Sequence, residues 1–431
     1  MAVSIFTDSE KEEIFQDLLR DLKPVIAFNT VRKEQEGDAP FGREMLEALD
    51  HMVAFGRKNG IRAEKLGNVC GWFEFGNPDS KEMIAVACHL DIVPFGDENS
   101  WDTPPLEMTV GSDRISGRGV LDNKGPLLLC YEILKKLTEK NTPFKHRIRL
   151  IFGCAEETGS ECMEYYSKHG EIPEYGFTAD CDYPLIYGEK GLMHFDFVRK
   201  FAPGENPLTK INGGFVRNAV PGEAYAEWNG GSLQAIGKTA HASLPQDGEN
   251  AILKLGTELE KAAGPCEVTK FLRLLNQKDL NIDLKDQYSE LTFVPSVING
   301  DTESVTIQCD IRFPLTMRST EVLERLRNAT RSTGWELVTA QIDEPLFYDP
   351  ESPLVTSLLQ AYRDVTGEKD AQGIIVGGGT YAKHLPNILA YGVCLPDDPG
   401  TAHKINEFWL FRSIRKNIDL LAAGILALDQ L

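Results

Sequence analysis

One arrangement recurs along the chain: an apolar run that stops at an imidazole or a carboxylate. "MIAVACHLD" runs from Met83 to Cys88 and then presents His89 and Asp91. "RIRLIFGCAEE" runs to Cys154 and then presents Glu156 and Glu157, "YGFTAD" ends on Asp180, and His403 follows "ILAYGVCLP". Short apolar runs of this length read as strands buried on both faces. In open α/β sheets, ligands gather outside the carboxyl ends of the strands. A sheet that lines up these ends would collect two histidines and several carboxylates on one rim. Asp122 adds another carboxylate from "GRGVLDNKGP", a glycine-rich turn that leads into a helix.

The segments between these runs support such a sheet. Leu46, Leu49, Met52 and Val53 keep helical spacing with Gly60 as the stop, and "KGPLLLCYEILKKLTEK" reads as a helix over 124–140. Strands are expected over 83–88 and 147–154, which makes an α/β alternation with helices on both faces. The texture changes after about residue 191. "AYAEWNG" and "SLQAIGKTAHAS" read as strands, "ENAILKLGTELEKAAG" as a helix, and "SVTIQCDIRFP" alternates strictly. Val305, Ile307, Cys309, Ile311 and Phe313 take one face of that last strand; Thr306, Gln308, Asp310 and Arg312 take the other, as in a half-solvated antiparallel sheet. The α/β pattern returns with the helix "PLVTSLLQAYRDVTG" and the strand "ILAYGVCLP". The expected organisation is therefore a mixed-sheet α/β domain over 1–190 and 346–431, interrupted by an inserted α+β domain over 191–345.

Composition narrows the partners. The formal net charge of -20 opposes binding to nucleic acid or to an anionic membrane surface. No stretch of about 18 apolar residues is present, and the start lacks a basic region before an apolar core. The nine cysteines are scattered with no C-x-x-C pair, which fits reduced thiols and a cytoplasmic location.

Taken singly, each polar residue has an ordinary alternative: a histidine after a strand is commonly structural, and paired glutamates commonly open a solvated helix. Together they differ. Glu156 and Glu157 are followed by Thr158-Gly159-Ser160, a loop composition, and two histidines with three carboxylates plus one spare suit a pair of divalent cations. Imidazole and carboxylate favour Zn²⁺, with Mn²⁺ or Co²⁺ as alternatives, and argue against an oxygen-only calcium site. One carboxylate can bridge two ions about 3.5–4 Å apart.

"ACHLDIVP", "GRGVLDNKGP", "AEETGS", "FTADCDYPLIYGEKG", "GKTAHASLPQDGENA", "GGGTYAKHLPN" and "TAHKINEF" resemble, in order, the motifs of the aminoacylase/carboxypeptidase superfamily of co-catalytic metallopeptidases. That superfamily includes the ArgE and DapE deacylases and carnosinase. "GEKG" and "GGGTYA" are most similar to the PepV/Sapep-type bacterial dipeptidases. The resemblance implies a zinc-exopeptidase-type sheet with a lid, extra lid material near 255–290, and two ions shared by Asp122. His89, Asp122 and Asp180 would hold one ion; Asp122, Glu157 and His403 would hold the other. Asp91 would accept the second N–H of His89 through its carboxylate, Glu156 would be the general base, and the Asp122–Asn123 peptide would be cis.

The same resemblance implies that His241 stabilises the oxyanion and that Asn218 and Arg312 bind substrate. Arg312 is expected to project from the polar face of its strand toward a peptide carboxylate. "GGGTYA", with Gly378, Gly379 and Thr380, reads as a close-approach loop whose N–H groups can meet a carboxylate. The implied activity is metal-dependent hydrolysis of dipeptides, with N-acyl-amino-acid deacylation as the alternative. The expected partner is a small peptide, and the chain is expected to act as a monomer or homodimer.

Overall fold

The computed structural model describes residues 3–431, which divide into two compact units. The first comprises the chain up to Tyr187 together with Tyr348–Ile374 and Thr380–Leu431; the second comprises Gly188–Phe347 and Ile375–Gly379. The inserted unit read from the sequence spans 191–345; the compact unit also gathers the first glycines of "GGGTYA".

The first unit is built on a mixed sheet. Its strands lie in the order Arg62–Leu66, Cys70–Gly76, Arg147–Gly153, Met83–His89, Tyr175–Thr178 and Ile388–Ala390. Met83–His89 runs parallel to both Arg147–Gly153 and Tyr175–Thr178, which in turn runs parallel to Ile388–Ala390. Every residue of Met83–His89 is buried, as its unbroken apolar run requires. Alternate residues of Cys70–Gly76 show that both faces are covered. Phe73 meets Tyr131 of the helix Lys124–Glu139 and Phe55 of the helix Arg43–Lys58, while Trp72 meets Tyr166 of the helix Glu161–His169. The fold is the α/β class expected.

The stretch read as one strand over "ILAYGVCLP" is instead two short ones. Ile388–Ala390 joins the main sheet, and Val393–Cys394 pairs with Cys181–Asp182. Gly392 breaks the run at φ 77, where an added Cβ would lie 2.3 Å from the Tyr183 ring. His403 therefore sits not at a strand end but in the loop beyond, at φ 63. The Asp122–Asn123 peptide is cis.

The second unit is a seven-stranded sheet in the order Gly231–Ile236, Glu223–Trp228, Leu208–Gly213, Thr292–Gly300, Ser304–Phe313, Gly191–Lys200 and Glu336–Asp343, every pairing antiparallel. Helices Ala251–Ala263, Glu267–Leu274 and Ser319–Thr330 complete it. Phe195, Phe197, Ile252, Leu272, Ile307, Ile311 and Leu326 belong to one core, and the apolar face read for Ser304–Phe313 is in it. The opposite face departs from the reading: Asp310 and Arg312 are buried rather than solvated.

Candidate metal centre

Parallel pairing is what brings the candidate ligands together. In register, His89 stands beside Gly153 and Ala87 beside Thr178, so three strands end at one level. The chain just beyond each end supplies His89, Glu156 with Glu157, and Asp180. Asp122 comes from the turn before the helix Lys124–Glu139.

Asp122 lies at the middle. Its Oδ1 is 3.0 Å from His89 Nε2, and its Oδ2 is 2.8 Å from His403 Nε2. Asp180 Oδ2 lies 3.4 Å from His89 Nε2, and Glu157 Oε1 lies 3.0 Å from His403 Nε2. Ligand atoms of His89, Asp122 and Glu157 fall within 4.8 Å of one another, as do those of His89, Glu156 and Asp180. Each oxygen of one carboxylate thus faces its own histidine and its own further acid.

The electrostatics describe a group of acids short of positive charge. Burial pushes Glu157 up to about 7, helped by the charge of Asp122. Burial, with the charge of Asp180, raises Glu156 well above the usual carboxylate range, and burial raises Asp180. Burial would also raise Asp122, but hydrogen bonds from His403 and His89 overcome it and hold that carboxyl below its ordinary value. The protons sit on the imidazoles instead. Hydrogen bonds to Asp122 and Glu157 lift His403 to about 11. Burial works against a charged His89, yet the charge of Asp180 and the contact with Asp122 raise it well above the ordinary imidazole range. Mixed nitrogen and carboxylate donors arranged around a shared acid fit divalent cations, which would replace those protons.

Side chains around the donors fix them. His89 Nδ1 lies 2.9 Å from the backbone carbonyl of Asp91, so Nδ1 donates and Nε2 is the face turned to the acids. The Asp91 carboxylate, expected in that role, is 3.4 Å away. Beside that contact it accepts from the backbone N–H groups of Glu156 and Glu157, each at 3.0 Å, and so pins the turn that carries both glutamates. Those two amides begin a loop rather than continue a strand, and a buried acceptor satisfies them.

Two residues escaped the sequence reading. Asn123 Oδ1 accepts from the His89 N–H at 3.2 Å, while its Nδ2 donates to the Ala179 carbonyl at 2.8 Å and to Asp180 Oδ1 at 3.1 Å. Glu407, fully buried, accepts from Arg118 Nη1 at 2.7 Å and from the N–H groups of Gly119, Leu121 and Asp122 at 3.0, 2.9 and 3.2 Å. It moulds the turn that presents Asp122. Burial and the charge of Asp122 push its carboxyl up to about 7. A lone glutamate inside "INEFWL" was the available signal.

The remaining candidates lie in the second unit, apart from Thr380, whose hydroxyl accepts from the Ala382 N–H at 3.2 Å in the first. Ala219 pairs with His241, and the Asn218 carbonyl accepts from the Ala242 N–H at 2.8 Å, so Asn218, just before one short strand, is brought beside His241 at the end of the other. The Ser243 backbone N–H donates to His241 Nδ1 at 3.2 Å, and the Ser243 hydroxyl lies 2.6 Å from the same atom. An N–H donor can meet only an unprotonated nitrogen, so Nε2 carries the ring proton. Arg312 is not on a solvated face: it is 6% exposed and bonded to Asp310 and to the Gly377 carbonyl.

A model of Peptidase family M20/M25/M40 matches residues 85–427. Over 455 aligned residues the chain is 30% identical to "Putative dipeptidase YtjP" of Bacillus subtilis (strain 168), covering 95% of this chain and 96% of that protein. A "Putative dipeptidase" of Staphylococcus aureus (strain bovine RF122 / ET3-1) is also 30% identical, covering 93% and 94%. Among solved structures, the fold is similar to the di-peptidase Dug1p from Saccharomyces cerevisiae, with TM-score 0.64, 15% identity and 98% of each chain covered. It is likewise similar to human carnosine dipeptidase 1, with TM-score 0.60, 16% identity, and 98% and 99% covered. The chain belongs to Peptidase family M20/M25/M40.

Proposed function

We propose that the protein is a dinuclear metallodipeptidase. The observation that carries this is the Asp122 carboxylate, whose two oxygens each lie within 3.0 Å of a different histidine nitrogen. The relatives named as dipeptidases, matched over nearly their full length, support the substrate class. His89 and Asp180 would complete one ion site, and Glu157 with His403 the other. Zn²⁺ is the first choice, with Mn²⁺ or Co²⁺ as alternatives. When bound, such ions bring a water's pKa toward neutral and polarise a peptide carbonyl.

The chain's own residues do the rest. Glu156 sits on the same turn as Glu157, and its burial gives it the affinity to take a proton from the attacking water and return it to the leaving amine. Asp91 holds that turn through both backbone amides. His241, as the Nε2–H tautomer, is assigned the donor for the developing oxyanion. Asn218, Arg312 and the glycines Gly378 and Gly379 with Thr380 are assigned to substrate. The nine cysteines, none of them in a disulfide, support a reducing compartment, the cytoplasm.

The test is a substrate comparison on protein loaded with defined Zn²⁺, Mn²⁺ or Co²⁺: dipeptides, tripeptides and N-acetyl amino acids. Dipeptides should be cleaved most efficiently. Cleavage confined to N-acetyl amino acids would assign the same chemistry to a deacylase.

A further inference from the structure

Asp310 and Arg312 are two residues apart on the strand Ser304–Phe313 and so share a face. The antiparallel register sets His194 directly across from Asp310. The three side chains form one array, with Asp310 and Arg312 buried and His194 half-buried. Arg312 Nε and Nη2 donate to Asp310 Oδ1 and Oδ2, both at 2.9 Å. His194 Nε2 lies 3.0 Å from Asp310 Oδ2, and since a carboxylate only accepts, that nitrogen is protonated. Arg312 Nη1 donates to the Gly377 carbonyl at 2.8 Å.

A guanidinium has five N–H donors. Three are used here, and two, one on each Nη, have no partner among the described residues. A buried ion pair adds little to stability beyond what apolar side chains of the same volume would give. Its place in this strand is better explained by what the guanidinium can hold. The neighbouring segment is shaped for close approach. A Cβ on Gly377 would lie 2.6 Å from Ser243 Cβ, whereas a Cβ on Gly378 would meet nothing within 4 Å. Ser243 in turn holds His241, so the array links Arg312, the glycine segment and His241 within one unit.

We propose that Asp310, buttressed by His194, is the positioning residue of a carboxylate subsite, holding Arg312 so that its two remaining N–H groups take the C-terminal carboxylate of the substrate while Nη1 fixes the Gly377 peptide. The identity of that ligand rests on the dipeptidase reading above.

The test uses the full chain loaded with Mn²⁺ and compares alanyl-alanine with its C-terminal amide. In wild type the acid should bind far better than the amide; equal KM for the two would overturn the proposal whatever the variants do. Asp310→Asn should raise KM for the acid roughly tenfold to hundredfold, with kcat changed only a few-fold and the amide hardly affected, because a charge-assisted contact is lost. Arg312→Lys keeps the cation without the fork and should behave the same way, which provides a second arm if Asp310→Asn does not fold. His194→Phe removes the donor toward Asp310 and should raise KM for the acid several-fold, with the amide hardly affected. Equal losses on acid and amide, or an unchanged KM for the acid, would overturn the proposal. If wild type cleaves N-acetyl amino acids but not dipeptides, the dipeptidase reading fails, and the same comparison runs on N-acetylalanine and its amide.

Discussion

Loading the protein with divalent cations should expel protons. Without metal, hydrogen bonds to Asp122 and Glu157 lift His403 to about 11, and His89 also stands well above the ordinary imidazole range. Both rings are therefore imidazolium at neutral pH, while Asp122, held below its usual value, is already ionised. A cation takes only the unprotonated ring nitrogen, so the two histidines must release about two protons. Glu157, which burial raises to about 7, adds roughly half a proton at that pH. The sign follows directly. Raised histidines favour the protonated, cation-free protein as pH falls, so apparent affinity should climb by roughly two decades per pH unit between about pH 6 and about pH 8. The His403 side chain is 55% exposed, so solvent weakens its ion pairs, and the number of protons is a firmer quantity than any pairing energy. Calorimetric titration of Mn²⁺ into metal-free protein, repeated at one pH in buffers of different ionisation enthalpy, gives that number from the slope. His403→Ala should release about one proton fewer. No net release, or an affinity flat across this range, refutes the reasoning.

Glu156→Gln should keep both ions and lose roughly two to four decades in kcat, because only the proton acceptor is removed; metal content and turnover measured on the same sample check this, and undiminished turnover would remove Glu156 from its role. Glu407→Gln turns an amide donor toward the buried Arg118 and should cost about 3–5 kcal/mol in a denaturant titration. The same variant should weaken metal binding roughly 10–100-fold, because the turn bearing Asp122 loses its anchor; unchanged affinity by calorimetry would make Glu407 purely structural.

The convergence of His89, Glu156, Glu157 and Asp180 was legible because the strands that precede them are buried on both faces. A continuous apolar run such as Met83–Cys88 marks a central parallel strand, and the polar residue after it must lie at the carboxyl rim. His403 was legible only through its motif, since the strand thought to deliver it breaks at Gly392 and the histidine lies in a loop. The alternation of Ser304–Phe313 located its core face, but alternation reports only that the two faces differ. It could not reveal that Asp310 bonds to both Arg312 and His194, which lets the polar residues of that face be buried. Asn123, Glu407 and the backbone role of Asp91 were hidden for a related reason: each acts by accepting or donating to main-chain groups, which carry no residue-specific signature.

The central claim is that one carboxylate, that of Asp122, is shared by two cations. Anomalous diffraction from crystals of the Zn²⁺-loaded protein tests it directly. The account predicts two peaks about 3.5–4 Å apart, one on the His89 and Asp180 side of Asp122 and the other on the His403 and Glu157 side. A single peak, or two peaks that do not share Asp122, would contradict it.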